Sequence, residues 1–174
     1  MRLNPGQRLP RFETQDFLGQ TVSSDAFVGK RLLLSFYRYA SCPLCNLRMR
    51  ELILAHPQLQ AQGIELIAIF QSTAESIGEY VGGQDAPFPI VPDPTQQLYR
   101  QFGVEARWTG LLGFGVIGQA FKAMLSGFLP SRIDGPITRL PADFWIDETG
   151  VIQIAHYGKT IDDHLPLAEL GLTQ

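Results

Sequence analysis

Both cysteines of the chain lie in one short segment, SFYRYASCPLCNLRMREL (35–52), where an apolar run gives way to a helical pattern. Cys42 and Cys45 are three positions apart, and the first turn of a helix brings such positions within the Cα separation of about 7 Å that a disulfide requires. A helix start also presents unpaired N–H groups and the positive end of the helix dipole, which lower a cysteine pKa from about 8.5 toward about 7 or below. The spacing therefore predicts a redox pair that is nucleophilic at neutral pH.

The roles of the two thiols follow from their places on the predicted helix. Cys45 lies four residues before Met49 on the apolar stripe, so we expect it to face the sheet, whereas Cys42 lies at the cap, where solvent or a partner can reach it. Geometry alone thus favours Cys42 as the attacking thiol and Cys45 as the resolving thiol. Arg38, just upstream, and Arg48, whose side chain should lean back toward the helix start, are expected to add positive potential.

Two other interpretations of the cysteines stay open. Cysteine is often no more than a small buried apolar residue, although the spacing, the helix start and the preceding strand together favour redox chemistry. A zinc site needs about four ligands, whereas the chain has two cysteines, and His156 and His164 show no ligand spacing to them. We therefore predict no bound metal and keep a metallochaperone as the weakest alternative.

The composition indicates one globular domain. A length of 174 residues, with 45% hydrophobic and 18% charged residues, suits a single well-buried core. The net charge of −3 and the pI near 5.6 offer no attraction to nucleic acid or to an anionic membrane surface. No apolar stretch of signal-peptide length opens the chain, so we expect a cytoplasmic protein. In that reducing compartment a CxxC pair indicates redox chemistry more than a structural disulfide.

Two apolar runs, RLLLSF (31–36) and IELIAIF (64–70), predict buried strands of a parallel sheet, and helical spacing between them predicts a helix over 44–61. Asp143 is interpreted as a polar strand-end residue, with proton relay to a buried thiol as a second interpretation. The remaining predicted elements are helices at 72–81, 95–102 (capped by Asp93 or Thr95) and 164–170, a short strand FPIV (88–91), a hairpin of DFWID (143–147) with VIQIAHY (151–157), and a small N-terminal hairpin within 12–22 that turns at Gly19.

A glycine-rich apolar segment, 106–137, separates the two predicted parts of the sheet. Glycines and polar residues interrupt it too often for a membrane span, so we interpret it as an insertion that forms a lid or a surface buried by a partner subunit. Its pattern GFGVIG (113–118) has neither a clear preceding strand nor an acidic residue about 20 residues further on, so no dinucleotide cofactor is predicted.

Six segments, in order, resemble the thioredoxin-fold, peroxiredoxin-like proteins of the alkyl hydroperoxide reductase and thiol-specific antioxidant superfamily, in the branch that carries a CxxC motif. They are PGQRLPRF, FVGKRLLLSFYR, SCPLCNLRMREL, GIELIAIF, PDPTQQLYRQFGV and PADFWIDETGVI. The resemblance covers about 1–105 and 138–172. It implies an α/β thioredoxin-like fold, with a central mixed β-sheet flanked by helices, an N-terminal β-hairpin extension and the apolar insertion before the last hairpin, in a single domain over 1–174.

The resemblance assigns the thiols in the opposite order from the geometry. In the peroxiredoxin motif a proline is followed, after three residues, by a threonine or serine and, after two more, by the peroxidatic cysteine. Laid on this chain, Arg38 takes the proline position, Cys42 the threonine position and Cys45 the peroxidatic position. The hydroxyl that helps to bind peroxide is thus replaced by a thiol.

The later active-site arginine of the family falls on Pro141. That proline instead resembles the cis-proline that faces the CxxC of thioredoxins, where the backbone of the preceding residue pairs with a bound substrate chain. Arg139 is the nearest candidate to replace the arginine, and Ser41 and Pro43 complete the expected supporting residues.

The resemblance implies a thiol-dependent oxidoreductase. A thiolate would attack a peroxide or disulfide, the neighbouring thiol would form the Cys42–Cys45 bridge, and a thioredoxin or glutathione-type reductant would reopen it. Some relatives in this branch reduce an endoperoxide, so a bulky lipid-like peroxide is one substrate it suggests. The alternative is a thioredoxin-fold binding or redox-sensing module that docks a partner, or a second copy of the chain, through 106–137.

Overall fold

The two apolar runs predicted as strands lie side by side in the middle of a five-stranded sheet. A computed structural model of the chain describes residues 1–108, 125, 127 and 133–171. Its strands and α-helices are β1 (Glu13–Gln15), β2 (Thr21–Ser23), β3 (Arg31–Phe36), α1 (Pro43–Ala61), β4 (Ile64–Phe70), α2 (Ala74–Tyr80), β5 (Ile90–Pro92), α3 (Gln97–Gln101), β6 (Ala142–Ile146) and β7 (Ile152–Tyr157).

The sheet is mixed, in the order β5-β4-β3-β6-β7. β3 pairs in parallel with β4, and β4 in parallel with β5, whereas β6 runs antiparallel to both β3 and β7. Because β3 and β4 are central and covered on both faces, their sequences are nearly continuous apolar runs rather than alternating ones. The predicted α/β class with a central mixed sheet is confirmed.

The sheet separates two packed cores. Side chains alternate along β3, so Leu33 packs in the core that contains Met49 and Leu52 of α1, and Leu34 packs in the core that contains Tyr99 of α3. The carboxyl end of β3 leads through a short loop to the start of α1. This connection places the two cysteines at the carboxyl edge of the central strands.

The predicted N-terminal hairpin is formed by β1 and β2. Gly19 turns it with φ of 83°, a conformation that glycine adopts without the strain of a side chain. The carboxylate of Asp16 accepts hydrogen bonds from the backbone N–H groups of Leu18 and Gln20, which fixes the turn. The hairpin is joined to β5 by a hydrogen bond from the Phe17 N–H to the Ile90 carbonyl.

Several predicted elements have different bounds in the structure. The helix predicted over 164–170 is wrong: only a 3₁₀ turn, Leu167–Leu170, forms there. Pro166 disfavours helical backbone at Leu165 before it and is itself extended, with ψ of 135°, so helical backbone begins only at Leu167. The predicted strand FPIV (88–91) is β5, which begins two residues later and ends one residue later than predicted. Asp93, rather than Thr95, caps α3, because its carboxylate accepts from three successive backbone N–H groups.

Most of the predicted insertion, 106–137, lies outside the described residues. Its two ends meet, since Ala106 and Arg139 form an isolated antiparallel bridge and the Arg107 N–H donates to the Thr138 carbonyl at 2.8 Å. In the described part of the chain, no helix has the length and apolar character needed to cross a membrane. The single-domain organisation and the lid or dimer interpretation of this segment stay predictions.

Candidate active site

The start of α1 places Cys42 at the helix N-cap. Pro43 occupies the first helical position, where its missing N–H leaves no bond unmade, and Ser41 is buried on the other side of Cys42. Cys42 is only 1% exposed and Cys45 only 2%, because both pack in the core beneath α1. The expectation that solvent or a partner reaches Cys42 directly is therefore wrong for this conformation.

Arg38 supplies the positive charge at Cys42. Its Nη1 donates to the Cys42 Sγ at 3.4 Å, and its Nη2 donates to the Ile137 carbonyl at 2.6 Å. The guanidinium carbon also lies 5.0 Å from the centre of the Tyr39 ring. Arg38 is itself buried, so its charge acts on the sulfur with little screening by water. These contacts bring Arg38 to the Cys42 sulfur, and its predicted role in supporting the thiols stays a prediction.

The pKa values of the two thiols are shifted in opposite directions. The hydrogen bond from the Cys45 thiol, together with Arg38 and the backbone N–H groups of Leu44 and Cys45, lowers the pKa of Cys42 to about 6 although burial opposes the shift. Burial raises the pKa of Cys45 well above its ordinary value, and the charge of Cys42 raises it further. At neutral pH the arrangement is a Cys42 thiolate that accepts a hydrogen bond from a Cys45 thiol.

The loop before α1 is held by side chains that sequence reasoning missed. The amide of Asn46 donates to the carbonyls of Ala40, at 2.6 Å, and Cys42, at 3.0 Å, and accepts from Gln84. Ser72 Oγ accepts from the Ala40 N–H at 2.7 Å. An asparagine in a first helical turn is a usable signal, because its amide competes for backbone groups. Ser72 and Gln84 come from distant segments, and nothing in their own sequence context marks them.

Pro141 and Arg139 differ from their predicted roles. None of the described peptide bonds is cis, so Pro141 is not the expected cis-proline, and the N–H of Leu140 before it already donates to the Glu105 carbonyl. Arg139 donates to Gln71, Gln96 and the Val104 carbonyl, and its guanidinium lies over Tyr99. These contacts support the loop that carries α3. Among the described residues, the cation that donates to a cysteine sulfur is Arg38.

Arg48 makes its hydrogen bonds with groups other than the thiols, so its predicted support of them stays a prediction. Its Nη2 donates to the Leu165 carbonyl at 2.7 Å, and its Nη1 pairs with Glu51 at 3.2 Å. Its charge lowers the pKa of Asp143, on β6. Arg48 therefore belongs to a polar group behind the thiols rather than to the surroundings of Cys42.

Asp143 and His164 form the centre of that polar group. Asp143 is opposite Ser35 in the β3–β6 pairing, and its carboxylate accepts from His164 Nδ1 at 3.0 Å and from the Leu165 N–H at 2.8 Å. Burial by itself would raise the pKa of Asp143, but His164, Arg48 and Ser35 together lower it to about 2. The sequence singled out Asp143 but not His164, because nothing in sequence connects residues 21 positions apart.

Comparisons with known proteins give one family. The model of the AhpC/TSA family matches residues 5–155. A Mycobacterium tuberculosis protein provisionally assigned as a peroxiredoxin is 27% identical over 166 residues, which cover 94% of this chain and 91% of that protein.

Two solved structures share the fold. The peroxidoxin BcpB of Mycobacterium tuberculosis has a TM-score of 0.69 at 14% identity and covers 92% of this chain and 90% of its own. A cysteine mutant of peroxiredoxin 6 from Arenicola marina has a TM-score of 0.72 at 15% identity, with 97% of this chain and 70% of its own covered. Both structures confirm the thioredoxin-like fold predicted from the sequence.

Proposed function

This chain belongs to the AhpC/TSA family, and from that premise we propose that it is a thiol-dependent oxidoreductase that reduces peroxides through Cys42 and Cys45. The observation that carries the proposal is the contact between Arg38 and the Cys42 sulfur, which has a lowered pKa and a second thiol beside it. The relatives matched across the chain are named as peroxiredoxins, which favours this activity over a redox-sensing binding module or a metallochaperone.

The first step is attack of the Cys42 thiolate on one peroxide oxygen. The O–O bond breaks, Cys42 becomes a sulfenic acid, and the second oxygen leaves as water or an alcohol after taking a proton. The guanidinium of Arg38 stabilises the negative charge that moves from sulfur to oxygen, in a site from which water is largely excluded. This assigns the attack to Cys42, although the family motif aligns its peroxidatic position with Cys45.

The second step closes the redox pair. Cys45 attacks the Cys42 sulfur, the S–O bond breaks, water leaves, and a Cys42–Cys45 disulfide forms. A thioredoxin or glutathione-type dithiol or thiol then reduces the bridge. A cytoplasmic location suits this cycle, because a cellular thiol reductant is available there.

The burial of Cys42 favours peroxides over protein disulfides as substrates. A thiolate that is 1% exposed is reached by a small peroxide after a small local displacement, whereas a protein disulfide needs a much larger opening. A bulky lipid-like peroxide, suggested by the resemblance, is the second substrate class of this proposal. A homodimer formed through 106–137 is likewise part of this proposal.

Single-turnover chemistry tests the assignment. Cys45→Ser keeps a hydroxyl donor beside Cys42, so we expect it to consume one equivalent of peroxide and to hold a sulfenic acid on Cys42 that mass spectrometry detects after trapping. We expect Cys42→Ser to consume none, and wild-type protein to form the Cys42–Cys45 disulfide.

The opposite pattern, with a sulfenic acid on Cys45 in Cys42→Ser, would transfer the attacking role to Cys45. Peroxide consumption that survives the double substitution at the rate of the wild type would show that the thiols do not carry the activity.

A further inference from the structure

Two polar residues, Gln71 and Ser72, directly follow β4 and take no part in the chemical steps above. Gln71 is 1% exposed and Ser72 is completely buried. Burying a polar side chain costs free energy unless new hydrogen bonds replace those that it made with water. The partners of the two residues therefore indicate what they do at the edge of the sheet that carries the cysteines.

Both residues hold the loop that runs from β3 to α1. The Gln71 N–H donates to the Arg38 carbonyl at 3.2 Å, and Ser72 Oγ accepts from the Ala40 N–H at 2.7 Å. These bonds fix the backbone on either side of Tyr39. They therefore also fix the point from which the side chain of Arg38 extends toward the thiols.

The side chains of the same two residues hold a second stretch of chain, shortly before β6. Gln71 Nε2 donates to the Pro136 carbonyl at 3.1 Å, and Ser72 Oγ donates to Asp134 Oδ1 at 2.6 Å. The stretch passes close to Gln71, because a Cβ added at Gly135 would overlap the glutamine side chain. Each of the two buried residues thus ties this stretch to the loop before α1.

The same stretch, residues 134–137, carries one of the two hydrogen-bond acceptors of Arg38. Arg38 Nη2 donates to the Ile137 carbonyl at 2.6 Å, and Nη1 of the same guanidinium donates to the Cys42 sulfur at 3.4 Å. A guanidinium is planar and holds its N–H groups in a fixed fork, so an acceptor at Nη2 restricts the direction of Nη1. The place of the Ile137 carbonyl therefore affects how the cation meets the sulfur.

We propose that Gln71, assisted by Ser72, is a positioning residue that holds the 134–137 segment where it directs the guanidinium of Arg38 toward Cys42. The inference rests on the proposed function, in which that guanidinium stabilises the charge that moves from sulfur to oxygen. Without the Gln71 amide, the segment loses one of its two anchors to the end of β4. The guanidinium then loses a fixed acceptor and spends less time in contact with the sulfur.

Gln71→Met tests this role, because methionine keeps the length of the side chain and the backbone N–H while removing the amide. We expect it to raise the pKa of Cys42, followed by thiolate ultraviolet absorbance, and to lower the rate with hydrogen peroxide at neutral pH by about fivefold. Cys42 also accepts from Cys45 on α1, and the ring of Tyr39 lies against the guanidinium. Those two contacts are not altered by the substitution.

A double variant separates positioning from general loosening of the fold. In an Arg38→Met background, Gln71→Met should change neither the pKa of Cys42 nor the rate, because its effect passes through the guanidinium. A further loss of similar size in the double variant would overturn the proposal. So would a wild-type pKa of Cys42 in folded Gln71→Met.

Gln101→Met is the matched control. It removes another glutamine that donates to a backbone carbonyl, that of Arg11 at 2.9 Å, from α3, on the face of the sheet opposite the cysteines. We expect the pKa of Cys42 and the peroxide rate to equal those of the wild type. Equal losses in Gln101→Met and Gln71→Met would overturn the proposal, because the place of the glutamine would then not matter.

Asp134 provides a second pair of variants that decides the question if Gln71→Met does not fold. Asp134→Ala removes the acceptor of Ser72, whereas Asp134→Asn removes the same charge but keeps an oxygen there. We expect a higher pKa of Cys42 in Asp134→Ala than in Asp134→Asn, and equal values would overturn the proposal. The absorbance measurement needs no substrate, so wild-type protein that consumes no peroxide would refute the proposed function separately.

Discussion

The two sides of the first turn of α1 use similar residues to opposite effect. On one side Cys42 meets a buried arginine and the N–H groups of the helix start, and its pKa falls to about 6. On the other side Cys45, three residues away, faces the interior, and burial raises its pKa. Both thiols are almost fully buried, so burial alone does not determine acidity. The side that has a cation and open N–H groups holds the anion.

A second contrast strengthens this conclusion. Behind Cys45, Arg48 is a partly buried cation beside titratable groups, but the carboxylates of Glu51 and Asp143 compensate its charge. Arg38 has no described acidic partner, since its hydrogen bonds go to the Cys42 sulfur and the Ile137 carbonyl. An uncompensated buried cation stabilises a thiolate, whereas a compensated one does not.

The largest expected effect is the separation of the two thiol ionisations. Following thiolate ultraviolet absorbance against pH, we expect one ionisation near pH 6 in wild-type protein and none from Cys45 in the neutral range, because burial raises the pKa of Cys45. Cys42→Ser should remove the ionisation, and Cys45→Ser should retain it at a somewhat higher pH because the donor is changed. A single ionisation near pH 6 that persists in Cys42→Ser would show that Cys45, not Cys42, is the more acidic thiol.

Removal of the cation should have the next largest effect. We expect Arg38→Met to raise the pKa of Cys42 and to lower the second-order rate with peroxide at neutral pH by at least about tenfold, through both a smaller thiolate fraction and lost charge stabilisation. The difference in rate between Arg38→Met and the wild type should become smaller at alkaline pH, because more of Cys42 is then thiolate in the variant.

Arg31→Met is the matched control for that substitution. It removes an equal charge from the opposite end of β3, where Arg31 forms an exposed pair with Glu148. A comparable loss of rate in both variants would mean that the general field of the protein, not the contact with Cys42, lowers the pKa.

The sequence predicted the parts of this arrangement that local physics determines. The apolar runs of β3 and β4, the helix between them and the place of Cys42 at its start all follow from periodicity and spacing. The sequence also singled out Arg38, which lies four residues before Cys42 across one short loop and contacts its sulfur.

Contacts between distant segments were beyond such reasoning. The direction of Arg48 depends on the carbonyl of Leu165, and the pairing of Asp143 with His164 depends on a loop that replaces the predicted last helix. The trans bond before Pro141 is the ordinary state of an X–Pro bond, whereas the resemblance to thioredoxins predicted the rarer isomer. Tertiary context decided the other two features.

The polar group behind Cys45 should contribute to stability in a pH-dependent way. The folded-state pKa of Asp143, about 2, lies below the ordinary value of 3.8, so its contribution is complete above about pH 4 and is lost as pH falls through about pH 2. We expect Asp143→Asn to lower the free energy of unfolding by about 2 kcal/mol at neutral pH, measured by urea denaturation, and by less at about pH 3.

Asp163→Asn serves as the control for Asp143→Asn. Asp163 also pairs with a histidine, but about a third of its side chain is exposed, so solvent screens the interaction. We expect a smaller destabilisation at neutral pH, measured in the same way. An equal loss of stability in the two variants would mean that burial of Asp143 does not strengthen its interaction with His164.

The smallest expected effect separates loop geometry from charge. Asn46 follows Cys45 on the helix, yet its amide holds the carbonyls of Ala40 and Cys42. We expect Asn46→Ala to lower the free energy of unfolding by about 1 kcal/mol, because two buried carbonyls lose a donor. The pKa of Cys42 should stay within about half a unit of the wild-type value, since Arg38 and the helix N–H groups remain. A large rise in that pKa without loss of stability would mean that the shape of the loop, rather than the cation, makes Cys42 the more acidic thiol.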